Sequence, residues 1–148
     1  MRVGIGYDVH GFADDRALVL GGVLIPHDRG LAGHSDADVL VHAICDALLG
    51  AAGMGDIGRH FPDTDPAFKD FDSLILLERI LDLIRSRGLA VANIDATILA
   101  EAPRMWPHIP AMAENISRVL CVPVDCVNIK ATTSEGMGFV GRKEGIAA

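Results

Sequence analysis

The sequence predicts an α/β protein in which a mixed sheet of four or five strands carries helices on one face, an architecture akin to the ferredoxin-like folds. Three observations lead there. Strand-like segments rich in Val, Ile, Leu and Tyr fill the first 26 residues. Leu74, Leu77, Ile80, Leu81 and Ile84 recur at the spacing of one helical face. A strand, a helix and a second strand then follow one another between Ala90 and Ala131. The 148 residues fit a single domain over 1–148, long enough to bury about two thirds of the surface of the unfolded chain.

In chain order, Arg2–Phe12 reads as a strand and Ala17–Pro26 as its hairpin partner, with Asp14-Asp15-Arg16 as the turn. Gly21-Gly22 interrupts the second strand and predicts a bulge or bend. Ser35, with Asp38 three residues on, has the spacing of a capping box ahead of a helix over Val39–Leu49. Gly53-Met54-Gly55-Asp56-Ile57-Gly58 fits a GxGxxG pattern but follows a helix, whereas a dinucleotide fingerprint must follow a strand, so a Rossmann site is rejected. Arg59–Pro66 is expected as a polar loop. Asp72–Arg87 is expected as a helix stopped by Gly88 and purely structural in role. Ala90–Ala100 reads as a strand, His108–Leu120 as a helix after a proline-stiffened exit, Val127–Ala131 as a strand, and Gly138–Ile146 as the start of another.

Net charge is −7, with no basic run and a single Trp and Tyr, so nucleic-acid binding is not expected. No apolar run approaches the roughly 20 residues of a membrane span. The N-terminus runs directly into a strand, without a signal core or transit composition. Cys45, Cys121 and Cys126 form no CxxC pair and suit reduced thiols in a cytoplasm. An acidic protein that handles an anionic substrate needs local positive charge, and metal ions or helix N-termini supply it economically.

Asp8 and His10 alternate on one strand and so leave the same face. His42 shares a helix stripe with Asp38 and Asp46 and could swing over that strand. An Asp and two His leave a tetrahedral divalent ion one open position, as in catalytic zinc sites. Strand and helix histidines are more often solvated or hydrogen-bonded than ligands, so spacing alone leaves both readings open. The amides at Ser35 and Asp36 offer a phosphate seat, with His34 as a neighbouring donor; a plain cap with two solvated acids is the other reading. Thr132-Thr133-Ser134-Glu135 combines hydroxyl donors with one acceptor for a cation, although such turns are common.

Taken together, Gly6-Tyr7-Asp8-Val9-His10, His34-Ser35-Asp36, Gly55-Asp56-Ile57-Gly58, Phe61-Pro62-Asp63-Thr64-Asp65, Ala131-Thr132-Thr133 and Gly141-Arg142 closely resemble the 2-C-methyl-D-erythritol 2,4-cyclodiphosphate synthase family, over essentially the whole chain. The resemblance implies conversion of 4-diphosphocytidyl-2-C-methyl-D-erythritol 2-phosphate to the cyclic diphosphate and CMP, in the non-mevalonate route to isoprenoid precursors. It implies zinc on Asp8, His10 and His42, a second divalent ion, Mg or Mn, with Glu135, and transition-state contacts from His34 and Thr133. Substrate contacts are implied for Ser35 and for Asp56, Ile57, Gly58, Phe61, Pro62, Asp63, Thr64 and Asp65 on the sugar and polyol side. Ala100, Glu101, Ala102, Pro103, Arg104, Met105, Trp106, Ala131, Thr132 and Ser134 are implied on the cytidine side. The family is homotrimeric, with metal ligands from one subunit and the cytidine pocket from its neighbour. Phe139 and Arg142 resemble residues of an axial cavity that takes an isoprenoid diphosphate.

This chain departs from the pattern in three places. Arg104 stands where Lys is usual, Trp106 where a smaller aliphatic residue is usual, and the family normally runs on through a final apolar strand where this sequence stops at Ala148, which implies either an unpaired edge or a trimmed sequence. Two activities from other classes remain: a metal-dependent phosphohydrolase, since an open zinc can activate water, and a trimer that only binds prenyl diphosphates.

Overall fold

A computed structural model describes residues 1–62 and 71–148. Its main sheet has five strands in the order β4-β1-β7-β5-β6: β1 (Val9–Ala13), β4 (Gly30–Leu31), β5 (Ile94–Leu99), β6 (Val127–Thr132) and β7 (Gly145–Ala147). β5 and β6 are parallel and the remaining pairings are antiparallel, so the sheet is mixed as expected. The crossover between β5 and β6 is α4 (Ile109–Leu120), reached through a short 3-10 turn at Trp106–His108. The other long helices are α1 (Val39–Ala52) and α3 (Ser73–Ser86), and two single turns complete the set, α2 (Ile57–His60) and α5 (Gly138–Gly141).

α1 is apolar nearly all round, and Leu40, Val41, Ile44, Cys45 and Leu49 are fully or almost fully buried. Such a helix can only sit inside. The amphipathic α3 and α4 close over it, contributing Leu77, Ile80, Leu81 and Ile84 from one and Met112, Ile116 and Leu120 from the other. The periodicity of residues 74–84 therefore located α3 correctly, and its cap is Asp72, whose side chain accepts from Leu74 N.

Four sequence expectations change. β2 (Leu18–Leu20) and β3 (Val23–Ile25) form their own two-stranded sheet, so Ala17–Pro26 is a hairpin rather than one strand. Gly21 and Gly22 both adopt positive φ, 58° and 67°, the two-residue turn whose twist matches paired strands. β1 consequently pairs with β4 and β7 and not with that segment. Within Arg2–Phe12 the strand begins only at Val9; Asp8 and Ala148 exchange the last backbone bonds with β7, at 3.1 and 3.0 Å. Residues 138–146 make a helical turn and only then a strand, because Gly138 has a positive φ of 66° and Arg142 N bonds back to Gly138 O.

The helix start also moves. Ala37 has φ 57°, which interrupts a helix before it begins, so the N-cap of α1 is Asp38 and not Ser35. Asp38 is fully buried, with Oδ1 accepting from Val41 N (3.1 Å) and Oδ2 from Gly22 N (2.8 Å). One carboxylate thus closes the helix end and anchors the β2–β3 turn to it. Burial outweighs the bonds from Gly22, Val41 and Gly21 and pushes its pKa up to about 6.

Asp38→Ala leaves buried amides unpaired, and a loss of about 2–4 kcal/mol in urea unfolding is expected. Since the folded value lies above the ordinary 3.8 of an aspartate, the folded chain holds the proton longer; the contribution of Asp38 to stability therefore falls as pH rises from about 4 to about 6. Denaturation curves of wild type against Asp38→Asn across that range will show the difference narrowing in this direction, or refute it.

Candidate functional site

β1 lies between two partners, with His10 opposite Ile146 and Val9 opposite Ala147. This fixes which face receives Asp8 and His10. Across from them, α1 presents His42 on its first turn, its backbone amide bonded to Asp38 O (3.0 Å). The three side chains converge. Asp8 Oδ2 is 3.0 Å from His10 Nε2 and 3.2 Å from His42 Nδ1, and the two ring nitrogens are 3.2 Å apart. A tetrahedral zinc with bonds of about 2.0–2.1 Å would set its ligand atoms roughly 3.3 Å from one another, so the triangle fits such an ion. Among the described residues this is the one group of three or more His, Cys, Asp or Glu side chains with metal-holding geometry.

Proton positions support the fit. His10 Nδ1 is 2.6 Å from Ala32 O, a carbonyl that can only accept, so the proton sits on Nδ1 and the Nε2 lone pair faces the centre. Burial opposes the Asp8 charge, but the His10 and His42 rings, bonding to it and carrying positive charge when protonated, outweigh burial and hold its carboxyl far below the usual carboxylate range. For His10, desolvation lowers the pKa, while the Asp8 hydrogen bond and charge more than reverse this and raise it.

A cavity of about 320 Å³ opens on the triad. Besides the three ligand candidates, its walls include His34, Ser35, Ile57, Gly58 and Phe61, all expected from the sequence. Five further residues were not singled out as site residues: Gly33, Asp46, Phe71, Ser73 and Leu76. Ser73 and Leu76 belong to α3, so that helix also forms part of the cavity wall. Asp46 carries a signal visible in hindsight, because it lies one turn beyond His42 on the same stripe. It accepts from Ile57 N (2.9 Å) and so sets the start of α2 against the cavity. Burial, followed by the neighbouring Asp56 and Asp8 charges, raises its pKa against the Ile57 bond.

At the expected phosphate seat of Ser35 and Asp36, several polar groups are engaged in internal bonds. Asp36 N bonds to Phe71 O (3.3 Å), Ser35 Oγ accepts from Ala37 N (3.1 Å), and the helix end is occupied by the Asp38 carboxylate. Of that group His34 and Ser35 face the cavity, His34 exposed and Ser35 partly covered. Asp56 caps α2 by accepting from Arg59 N (3.0 Å), and neither it nor Pro62 forms the wall. Asp63, Thr64 and Asp65 lie outside the described residues.

A second cluster gathers where the parallel strands β5 and β6 end, with Leu99 opposite Thr132. Glu101 Oε1 accepts from Ser134 N (3.0 Å), Ser134 Oγ (3.1 Å) and Gly136 N (3.3 Å), tying the two exit loops together. Thr133 Oγ1 donates to Glu135 Oε1 at 2.9 Å, and Glu135 adopts a positive φ of 54°. Ala100 and Met105 are buried, Ala102 and Pro103 are partly covered, and Arg104, Trp106, Ala131 and Thr132 are exposed. None of these residues contributes to the cavity wall at the triad. Phe139 and Arg142 lie on and just after α5, and the Arg142 guanidinium pairs with Glu144 at 2.7 and 3.1 Å. One chain therefore brings together the metal side of the expected site, and holds its nucleotide side as a separate cluster.

The sequence profile of the YgbB family matches residues 1–148. A protein of Syntrophobacter fumaroxidans named 2-C-methyl-D-erythritol 2,4-cyclodiphosphate synthase is 63% identical over 148 residues, covering all of this chain and 93% of its own. A protein of Trichlorobacter lovleyi with the same name is 64% identical over all of this chain and 94% of its own. Among solved structures, a 2C-methyl-D-erythritol-2,4-cyclodiphosphate synthase in a CDP-bound form superimposes with a TM-score of 0.90 at 36% identity, over 99% of this chain and 95% of that one. A bifunctional IspDF from Campylobacter jejuni gives a TM-score of 0.95 at 46% identity over 99% of this chain, which spans 40% of that longer polypeptide.

Titration with Zn²⁺ or Co²⁺ is expected to show one ion per chain. His42→Ala should weaken it by more than the roughly 100-fold that loss of an outer-shell partner costs. Ligation needs neutral imidazole, and the raised His10 value starts proton competition above pH 6.5; affinity therefore falls as pH drops through that region. Unchanged uptake by His42→Ala would rule the triad out.

Proposed function

Since this chain belongs to the YgbB family, whose profile spans residues 1–148, we propose that it acts as a 2-C-methyl-D-erythritol 2,4-cyclodiphosphate synthase. It converts 4-diphosphocytidyl-2-C-methyl-D-erythritol 2-phosphate to 2-C-methyl-D-erythritol 2,4-cyclodiphosphate and CMP, a phosphorus–oxygen lyase step of isoprenoid precursor biosynthesis. The observation that carries the reading is the Asp8, His10 and His42 triangle of 3.0–3.2 Å on the wall of a cavity large enough for a phosphorylated polyol.

In the reaction an oxygen of the 2-phosphate forms a bond to the β-phosphorus of the same molecule. The bond from that phosphorus to the bridging oxygen breaks, and CMP leaves with the bridging oxygen and its electron pair. Nucleophile and electrophile share one molecule, so alignment and charge neutralisation are the main requirements. Zinc at the triad and Mg or Mn at Glu135 supply positive charge to the phosphate oxygens when bound. His34 stands on the cavity wall where an imidazole donates to the same oxygens. Ile57, Phe61, Phe71 and Leu76 give the polyol an apolar wall and limit the water that could compete as nucleophile. Ser35, Asp56, Gly58, Pro62 and residues 63–65 are assigned to the sugar and polyol side of the substrate.

Thr133, Glu135 and the 100–106 loop belong to the nucleotide side, and CDP is the ligand of the similar synthase structure. Their absence from the triad cavity supports a site completed by a neighbouring copy in a homotrimer. A second feature supports the same assembly. Gly4 and Gly6 press on α1, where an added Cβ would stand 1.9 Å from Ala47 O or Ala43 O; Val3, Ile5 and Tyr7 alternate with them and are 87%, 91% and 62% exposed. An apolar row of that kind calls for cover. Near that axis Phe139 and Arg142 are assigned to an isoprenoid diphosphate, which would compete with Glu144 for the guanidinium. The β5–α4–β6 unit beside an antiparallel strand is the basis for the ferredoxin-like kinship. The cytoplasm is the assigned location; no helix among the described residues is long and apolar enough to cross a membrane.

Phosphorus NMR of the reaction, with and without divalent metal, is expected to show the cyclic diphosphate and CMP only with metal. Linear phosphate with CDP or inorganic phosphate would mean a hydrolase instead, and geranyl diphosphate binding without turnover would mean a binding trimer. For assembly, His42→Ala and Thr133→Ala should each be nearly inactive alone. After mixing and reassembly, about a quarter of sites should combine two intact halves by random association, and activity should return in proportion. No recovery would place Thr133 and His42 of one site on the same copy.

A further inference from the structure

The cavity wall holds a buried hydroxyl that the reaction does not use. Ser73, the first residue of α3, is 1% exposed, and its Oγ lies 2.9 Å from His42 Nε2, the ring nitrogen that faces away from the triad. The same hydroxyl donates to Asp36 Oδ1. Asp36 is further fixed by Ser73 N on Oδ2 (3.0 Å), by Asp38 N on Oδ1 (3.2 Å), and through its own amide on Phe71 O (3.3 Å). Ser73 is not serving as the helix cap, since Asp72 does that through Leu74 N. Its side chain is free for another purpose.

A serine hydroxyl has one proton and two lone pairs, whereas an ionised carboxylate can only accept. With the Ser73 proton committed to Asp36, only its lone pairs face His42. Nε2 then carries the imidazole proton, and in a neutral ring this leaves Nδ1 bare against the pull of the Asp8 carboxylate 3.2 Å away. Nδ1 is the atom that points at Asp8 and His10. We propose that Ser73 and Asp36 together form a positioning relay, carboxylate to hydroxyl to imidazole, that presets His42 in its metal-binding tautomer.

The relay rests on the reading of Asp8, His10 and His42 as a metal site, and it deepens that reading by naming what orients the third ligand. Partners behind a ligating histidine ordinarily fix its ring and raise its basicity. His10 has such a partner in Ala32 O, a backbone group that no side-chain change removes. His42 depends on side chains from two distant segments instead. Ser35 Oγ, 3.3 Å from the same Nε2, is the alternative neighbour. Were its hydroxyl to donate to Nε2, the proton would move to Nδ1 and the ring would arrive at the ion in the wrong form.

The experiment uses the full chain labelled with ¹⁵N, freed of metal, at a pH where the imidazoles are neutral. Long-range ¹H–¹⁵N correlation spectra are expected to show His42 protonated at Nε2 in wild type and as a mixture of tautomers in Ser73→Ala. His10, held by Ala32, should stay protonated at Nδ1 in both and reports that the fold is intact. Zn²⁺ affinity by chelator competition should fall about 10- to 100-fold in Ser73→Ala, and less in Asp36→Asn, which keeps the shape and loses the charge. A wild-type His42 protonated at Nδ1 would overturn the relay whatever the variants do. Equal affinity in wild type and a folded Ser73→Ala would overturn it while leaving the metal site standing. If wild type took up no ion, the metal reading would fall, and the His42 tautomer would still decide whether Ser73 sets it.

Discussion

Asp8 Oδ2, His10 Nε2 and His42 Nδ1 are held 3.0 to 3.2 Å apart, and each presents an electron pair toward the others unless a proton or cation lies between them. Gathering three such atoms is unfavourable by itself, because desolvation and lone-pair repulsion both oppose it. The depressed Asp8 and the raised His10 values describe the same tension: without an ion, the carboxylate and the imidazole must share a proton. The surrounding structure therefore has to impose the convergence. It does so through rigid elements, a strand paired on both sides and a helix whose apolar surface is buried nearly all round. His42 and Asp46 are polar exceptions on that helix, and the side where they emerge is the side of the cavity.

The connections behind the triad explain why the ligands can be precise although they come from separate segments. Asp38 binds the β2–β3 turn to the start of α1, and Asp36 binds the same loop to the start of α3. Two acidic residues, two apart, thus pull a hairpin and a second helix onto the turn that carries His42. In water such carboxylates would be solvated; with Asp38 fully buried, Asp36 partly covered and both bonded to backbone amides, they act as cross-links whose geometry leaves little freedom. A position within a few tenths of an ångström matters more for a metal ligand than for a core leucine, and this is where the chain concentrates its buried polar bonds.

Much of this was legible in the sequence, and the failures have physical causes. The two-residue alternation of Asp8 and His10 needs only a strand to place both on one face, and the apolar spacing of α1, α3 and α4 needs only burial. Helix ends were harder. Ser35 and Asp38 satisfy the same capping pattern, and the choice between them is made by the positive φ of Ala37, a tertiary consequence that residue types do not announce. Gly21-Gly22 was read as a bulge because the flanking apolar blocks resemble one interrupted strand; the two positive φ values turn it into a hairpin. Ser73 was invisible for a different reason. A serine at a helix start looks like local capping, and its contact with His42 spans 31 residues of sequence. The sequence resemblance assigned the nucleotide-side residues and gave that side to a neighbouring copy; within this chain the Thr133 and Glu135 cluster lies off the triad cavity.

The same wiring narrows how an acidic protein can hold a triply phosphorylated substrate. With a net charge of −7 the chain needs a local source of positive potential. The N-terminus of α1, closest to the triad, would be the ordinary choice, but its amide is taken by Asp38, and the adjoining loop amides go to Phe71 O and Ser35 Oγ. A helix end plugged by a carboxylate attracts no phosphate. What the cavity wall offers instead is the imidazole of His34, the hydroxyl of Ser35 and the carboxylate of Asp8 between two imidazoles, a centre suited to a cation and not to a bare phosphate. The Asp38 and Asp36 carboxylates use amides near His42 to hold the ligands in place, and a cation at the triad would bring positive charge to the substrate. In this arrangement the geometry of the three ligands governs both where the ion sits and whether an anionic substrate can enter at all.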